Sequence, residues 1–409
     1  MEIHMVIRHP FKIGLMALIL CLFALSACSP GKRTTQTQPD LQATIDILQT
    51  QVAHFTQTPS QANTQPTATP MHKPSPTFSE IRSAYAGFMV FVDQKFLGLD
   101  FNGQPLYFSV DALGVEGLNL YSASVFSRGV VHAFTPDMKI RMVTAQGIDV
   151  LDYISMEKPV NVTISADGSK IAWAYESFGG DAPGSELWTA NIDGSNAKLV
   201  DEILPENNLD RWLVFRPFQW TQDGKLIYGT KLTGIGGYII FDGWNSLSLY
   251  DPFDGSQVVL VEDEPQGMCI NSLSADRSLA AIGCKEIRIR KLADGSEITL
   301  PALNLQNVAG SAFFSPTSKW IAYATAFVDP QNERSQVVVA DTAGLGEPYP
   351  IHTLEGGDLH VLGWINEQSF LFTAHDMDDN ITTIWRIDYD GSLPTELIEA
   401  QFLGFIPLD

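Results

Sequence analysis

Positive charge and cysteine are both scarce in this chain of 409 residues. Lys and Arg total 25 against 47 Asp and Glu, giving a formal net charge of -22. Binding a phosphate backbone requires a basic stripe, so this balance excludes nucleic acid as a partner. Only four cysteines occur. There is no G-x-S-x-G nucleophile elbow. The eight histidines show no metal spacing such as H-E-x-x-H. No metal, cofactor or catalytic residue is therefore expected. Long apolar runs are absent except at residues 13–27. What the chain does have is 45% hydrophobic residues, enough for a sizeable core, together with 32 Gly and 23 Pro. That pairing suits a turn-rich β protein.

The single apolar run belongs to a secretory signal over residues 1–27. Arg8 and Lys12 form its positive start, and residues 13–27 are too short and wrongly flanked for a stable transmembrane span. The run ends in Leu25-Ser26-Ala27-Cys28, which resembles the lipobox of bacterial lipoproteins. The resemblance implies lipidation (palmitate) of Cys28 and an extracytoplasmic, membrane-tethered mature chain. The alternative is an ordinary signal peptide with a chance cysteine. A diacylated, N-acylated cysteine anchors stably, at about 0.8 kcal/mol per buried CH₂.

Residues 28–78 are rich in Thr, Gln, Pro and Ser and cannot bury enough apolar surface to offset chain entropy. They read as an extended stalk. Within it Leu41, Ile45, Leu48, Val52 and Phe55 follow a heptad seam over 41–55. Two heptads leave two readings open, a small oligomerising coiled coil or a transient helix.

From residue 79 to 409 the pattern changes to short alternating strands with turn signals. Asn102-Gly103, Gln146-Gly147, Asp193-Gly194, Asp254-Gly255, Asp294-Gly295, Ala343-Gly344 and Asp390-Gly391 each follow an alternating strand. Glycine at the second turn position supplies the positive φ of tight hairpins. The glycines lie 44, 47, 61, 40, 49 and 47 residues apart, the length of a four-stranded propeller blade. A second turn family comes one hairpin earlier. It comprises Ser165–Lys170 before Ile171-Ala172-Trp173, Thr221–Lys225 before Leu226-Ile227-Tyr228, and Ser315–Lys319 before Trp320-Ile321-Ala322-Tyr323.

The combination S-x-D-G-K-x-I-A-[FY], followed by an [EL]-[WY]-x-x-[ND]-x-D-G-[ST] strand, resembles the TolB-like (WD40-like, PD40) propeller repeat. That repeat also occurs in propellers of dipeptidyl-peptidase-IV-type enzymes. The best matches are 162–199, 218–260 and 311–352; residues 86–157 depart from the motif. With strands a to d running outward from the axis, the second turn family joins a to b and the first joins c to d. Residues 402–406 repeat the innermost-strand pattern of Val361–Ile365, and the first blade has no clear a strand of its own. The expected fold is therefore all-β: a seven-bladed propeller closed by the C-terminal strand. Six or eight blades remain open because residues 104–130 are ambiguous.

Cys269 and Cys284 flank the a–b turn at Asp276-Arg277 symmetrically, so they should stand opposite each other on adjacent strands, within disulfide reach. Two buried free thiols are the alternative. The tight turns share one face of the ring. The long b–c and d–a connections share the other, where binding usually resides. Asp181, Arg211, Trp212, Tyr238, Asp242, Trp244, Asp329 and His375 are the binding candidates there; the alternative is that they are solvated or packed under loops. Asp376, Asp378 and Asn380 have the spacing that begins an EF-hand, but the required Gly and the final Glu are missing. Propeller peptidases carry a hydrolase domain beyond the ring, and none is expected here because the repeats run to the end. The resemblance implies a non-enzymatic propeller that binds a protein or envelope component, with homo-oligomerisation through the stalk as a further option. The alternative is a propeller enzyme acting on a glycan or lactone with carboxylates at the central pocket.

Overall fold

The computed structural model describes residues 84–408, apart from 112–118, 136–138, 156–159, 179–181, 235–240, 263–266, 305, 329–333 and 377–380. The signal segment, Cys28, the stalk and its heptads lie outside the described residues. So do Asp181, Tyr238, Asp329, Asp378 and Asn380.

The described residues form 28 strands in seven four-stranded antiparallel sheets, with one turn of 3-10 helix at Pro205–Asn207. The early strands are β1 (Tyr85–Val92), β2 (Lys95–Leu99), β3 (Pro105–Asp111), β4 (Asn119–Phe126), β5 (Gly129–Thr135), β6 (Ile140–Thr144) and β7 (Gly147–Val150). Next come β8 (Val160–Ile164), β9 (Lys170–Ser177), β10 (Gly184–Asn191), β11 (Lys198–Ile203), β12 (Leu213–Trp220), β13 (Leu226–Leu232), β14 (Ser246–Tyr250) and β15 (Gln257–Val261). They are followed by β16 (Ile270–Leu273), β17 (Leu279–Gly283), β18 (Ile287–Lys291), β19 (Glu297–Thr299), β20 (Val308–Phe314), β21 (Trp320–Phe327), β22 (Arg334–Asp341) and β23 (Tyr349–Glu355). The last are β24 (Gly357–Trp364), β25 (Ser369–Asp376), β26 (Ile381–Asp388), β27 (Thr395–Glu399) and β28 (Gln401–Pro407).

Blade 1 has the order β28-β1-β2-β3, so the C-terminal strand supplies its innermost position and closes the ring. Blades 2 to 7 take β4–β7, β8–β11, β12–β15, β16–β19, β20–β23 and β24–β27 in turn. The stretch ambiguous in sequence divides into β3, which finishes blade 1, and β4, which starts blade 2. Closure is aromatic: Phe88 stacks near Phe101 and Phe402, and Tyr85 lies 4.8 Å from Phe405 between ring centroids. Each blade interface is filled by alternate side chains of facing sheets, as with Ile227, Leu247, Ile270, Ala280 and Ile282 between blades 4 and 5.

All seven Gly-containing turns join strands c and d. Gly103, Gly194, Gly255, Gly295, Gly344 and Gly391 have φ between 70 and 82°, and Gly147 has 151°. The a–b turns of blades 3 and 5 use an aspartate, Asp167 or Asp276, as a hub. Asp276 Oδ1 accepts from Ser274 Oγ at 2.7 Å and from the Ser278 amide at 3.0 Å. Where Thr317 replaces the aspartate, Glu367 of the next blade reaches across and accepts from Ser315 Oγ at 2.8 Å and the Thr317 amide at 3.0 Å.

Innermost strands are bulged in six of the seven blades, strand β8 being regular. A bulge adds a residue on one strand and re-aims its side chain. It also shifts the register beside the cysteines. Ser272 pairs with Ala281 but Ile270 pairs with Ile282, so the backbone does not place Cys269 opposite Cys284. The Cys269 carbonyl instead accepts from the Gly283 amide at 2.6 Å. The two cysteines are joined as a disulfide across this offset, with Cα atoms 5.3 Å apart.

Candidate functional site

A cavity of about 860 Å³ lies among the innermost strands of blades 5, 6, 7 and 1. Three bulged residues reach into it: Asn271 from β16, Ser311 from β20 and Leu362 from β24. Phe313, Val361 and Phe402 give it an apolar wall. Asp242, His360, Ile381, Thr382, Glu399 and Gln401 add to its lining. Ile381 opens β26 and Glu399 ends β27, so the cavity reaches the face of the long connections.

Polar side chains link its walls. Ser311 Oγ is 3.0 Å from His360 Nδ1, and His360 Nε2 is 2.9 Å from Asp358 Oδ2. Asp358 and His360 are two apart on β24, so they project on one side of it. Burial alone would raise the Asp358 pKa; the hydrogen bond and charge of His360, with His375 nearby, hold it below the usual carboxylate value. An ionised Asp358 only accepts, so His360 donates to it from Nε2, leaving Nδ1 toward Ser311. Ser311 has φ 47°, the left-handed region, at a bulge position where glycine is the usual residue. Such a conformation costs an ordinary residue roughly 1–2 kcal/mol. Asn271 braces the same bulge, its Oδ1 accepting from the Ala312 amide at 3.1 Å while its Nδ2 donates to the Cys269 carbonyl at 3.0 Å.

Of the eight binding candidates, Asp242 lines the cavity, and it pairs with Lys231 at 2.8 Å. His375 stands behind the wall, opposite Asp358 in the β24–β25 register, with Nδ1 3.1 Å from the Thr382 hydroxyl. Arg211 and Trp212 share one exposed turn of the β11–β12 connection, and the Trp212 ring lies over Gly234. Trp244 sits apart from these. It is buried, bridged to Ile270 and packed 5.0 Å from Phe218, with Lys231 Nζ 4.9 Å over its ring. It belongs to the buried cluster between blades 4 and 5.

Three anchors shape the long-connection face. Glu176, 3% exposed, pairs with Arg216 and accepts from Asn161 and Thr233 at 3.3 Å each, joining blades 3 and 4. Asn208, 1% exposed, donates to the Pro183 and Leu213 carbonyls and accepts from the Leu213 amide. The third is the disulfide. Reading the sequence did not single out Ser311, Asp358, His360 or Asn208. Asp358-Leu359-His360 looks like any alternating strand, and its partner serine belongs to another blade. Among the described residues no three His, Cys, Asp or Glu side chains are grouped to hold a metal ion.

No family model matches the chain, and no curated protein does. Among solved structures it is similar to Kuenenia stuttgartiensis hydrazine synthase, with 13% identity, 76% of this chain and 99% of that chain covered, and a TM-score of 0.44. It is also similar to TolB from Acinetobacter baumannii, with 15% identity, 66% and 65% covered, and a TM-score of 0.38. The Cps50 (Swd1) β-propeller domain of Myceliophteria thermophila gives 16% identity, 75% and 98% covered, and a TM-score of 0.45. The assignment as a seven-bladed β-propeller of four-stranded antiparallel blades rests on the order of the strands themselves.

Proposed function

We propose that the chain is an extracytoplasmic lipoprotein, held at a bacterial membrane by lipid on Cys28, whose propeller binds a protein or envelope-component partner through its long-connection face. The observation that carries the binding part is the cavity, a recess with an apolar wall and a few convergent polar groups on a rigid ring. The stalk would act as a spacer between the lipid and the propeller. The acidic chain would favour a basic or cationic partner.

The test uses the full chain in detergent as bait for the host's envelope extract, beside the variant Ile381→Trp. Ile381 is 38% exposed at the cavity, so a larger ring there obstructs it without disturbing the core. A species captured by the parent and lost with Ile381→Trp supports the reading. Identical captures by both would refute it. Cys28→Ala should move the chain from the membrane to the soluble fraction; retention at the membrane would remove the lipid anchor from the account.

A further inference from the structure

We propose that Ser311 is an acyl-transfer nucleophile, with His360 as its general base and Asp358 as the residue that positions the imidazole, and that the cavity admits neutral carboxylic esters. This rests on the cavity as the ligand site and goes beyond it, because a ligand can bind without reacting.

Three independent features converge. The first is the relay: Ser311 Oγ to His360 Nδ1 at 3.0 Å, and His360 Nε2 to Asp358 Oδ2 at 2.9 Å. These are within the reach that nucleophile, base and orienting carboxylate require, and such a set is recognised by geometry rather than by order in the chain. The second is the backbone at Ser311. A non-glycine residue held at positive φ in a bulged inner strand is the sort of outlier that clusters at working sites. The third is enclosure. Ser311 and His360 both line the cavity. The ring of Phe241 meets the imidazole edge-on at 5.4 Å between centroids. Phe241 rests so closely on Gly310 that a Cβ there would overlap it. A merely structural hydrogen-bond chain between blades 6 and 7 would need neither the strain nor the open cavity in front of it.

The surroundings set the substrate class. Phe313, Leu362 and Phe402 offer an apolar wall for an acyl or alkyl chain, while Glu399 repels anionic substrates. In the first step Ser311 Oγ bonds to the ester carbonyl carbon and passes its proton to His360 Nδ1. Asp358 stabilises the resulting imidazolium. The carbon–alkoxy bond breaks and the alcohol leaves with that proton. Water then gives a proton to His360 and attacks the acyl-serine, releasing the acid and restoring Ser311. The sum is ester plus water to acid plus alcohol, with no oxidation or reduction.

The test treats the full chain with a fluorophosphonate probe, locates the adduct by peptide mass spectrometry, and follows p-nitrophenyl butyrate hydrolysis. The proposal expects labelling at Ser311 and loss of both signals in Ser311→Ala. His360→Gln should slow labelling by roughly 10²-fold or more, the scale of a lost general base. Asp358→Asn should slow it as well, and Asp358→Glu should recover part of the rate, which a purely structural role would not predict. A folded parent chain that leaves Ser311 unlabelled overturns the proposal, as does labelling unchanged in His360→Gln. The parent result decides the matter even if a variant fails to fold. Partner capture that depends on Ile381 with no Ser311 adduct sinks this inference alone; a Ser311 adduct with no capture sinks the partner reading alone.

Discussion

The two faces of the ring are built by different rules. The face of the a–b and c–d turns repeats one local solution. In most of these turns an aspartate gathers hydroxyl and amide donors, and a residue at positive φ follows; Gly168, Gly224, Arg277 and, after Thr317, Ser318 hold equivalent places with φ from 59 to 76°. The opposite face is built differently among the described residues. There three anchors stand out, each in a single blade or blade junction: the Glu176–Arg216 pair, the Asn208 network and the Cys269–Cys284 disulfide. A face made of many equivalent turns tolerates the loss of any one of them. A face made of unique buried polar contacts does not, and its irregularity leaves a cavity where a continuous wall would otherwise stand.

Single substitutions can break that contrast. Glu176→Ala leaves Arg216 without its buried partner and should cost about 3–5 kcal/mol, read from denaturant unfolding. An effect near zero would show that the pair does not hold the face. Cys269→Ser with Cys284→Ser opens a loop of separation 15 and should cost roughly 3 kcal/mol. It should also raise amide exchange in the 309–312 segment, because Asn271 links Cys269 to Ala312. Asn208→Ala strands two carbonyls and one amide and should cost about 1–3 kcal/mol by thermal melting. On the other face Gly255→Ala and Gly295→Ala meet no neighbouring atom and carry only backbone strain. Each should cost roughly 1 kcal/mol, and equally in the two blades. Unequal costs would contradict the equivalence of the turns.

A pH titration sharpens the contrast more gently. Hydroxyl donors first and backbone amides second hold Asp193, Asp254, Asp276 and Asp294 below the ordinary carboxylate value. A folded pKa below the unfolded one means stability that is complete above about pH 4 and is lost as pH falls further. Turn-face amides should therefore gain exchange first on acidification. Loss beginning near neutral pH would assign the effect to other groups.

Blade number, both turn families and closure by the C-terminal strand could all be read from the sequence, because a positive φ or an aspartate hub is set by neighbours in the chain. The cavity could not. The offset beside Cys269 comes from the bulge at Asn271, and a bulge is visible only in cross-strand register. Trp244 reads as a loop aromatic, yet a single bridge to Ile270 draws it into the core. Asp242 belongs to a recognisably long connection, whereas Ser311 and His360 meet only when blades 6 and 7 are docked.

The central claim is that the long-connection face is the working face. It is tested most directly by placing a photo-crosslinking amino acid, in whole cells, at Ile381 beside the cavity or at Leu345 in a c–d turn. Both positions are exposed, at 38% and 77%. The account predicts a discrete adduct from position 381 and none from 345. An adduct from 345 alone would contradict it and transfer function to the turn face.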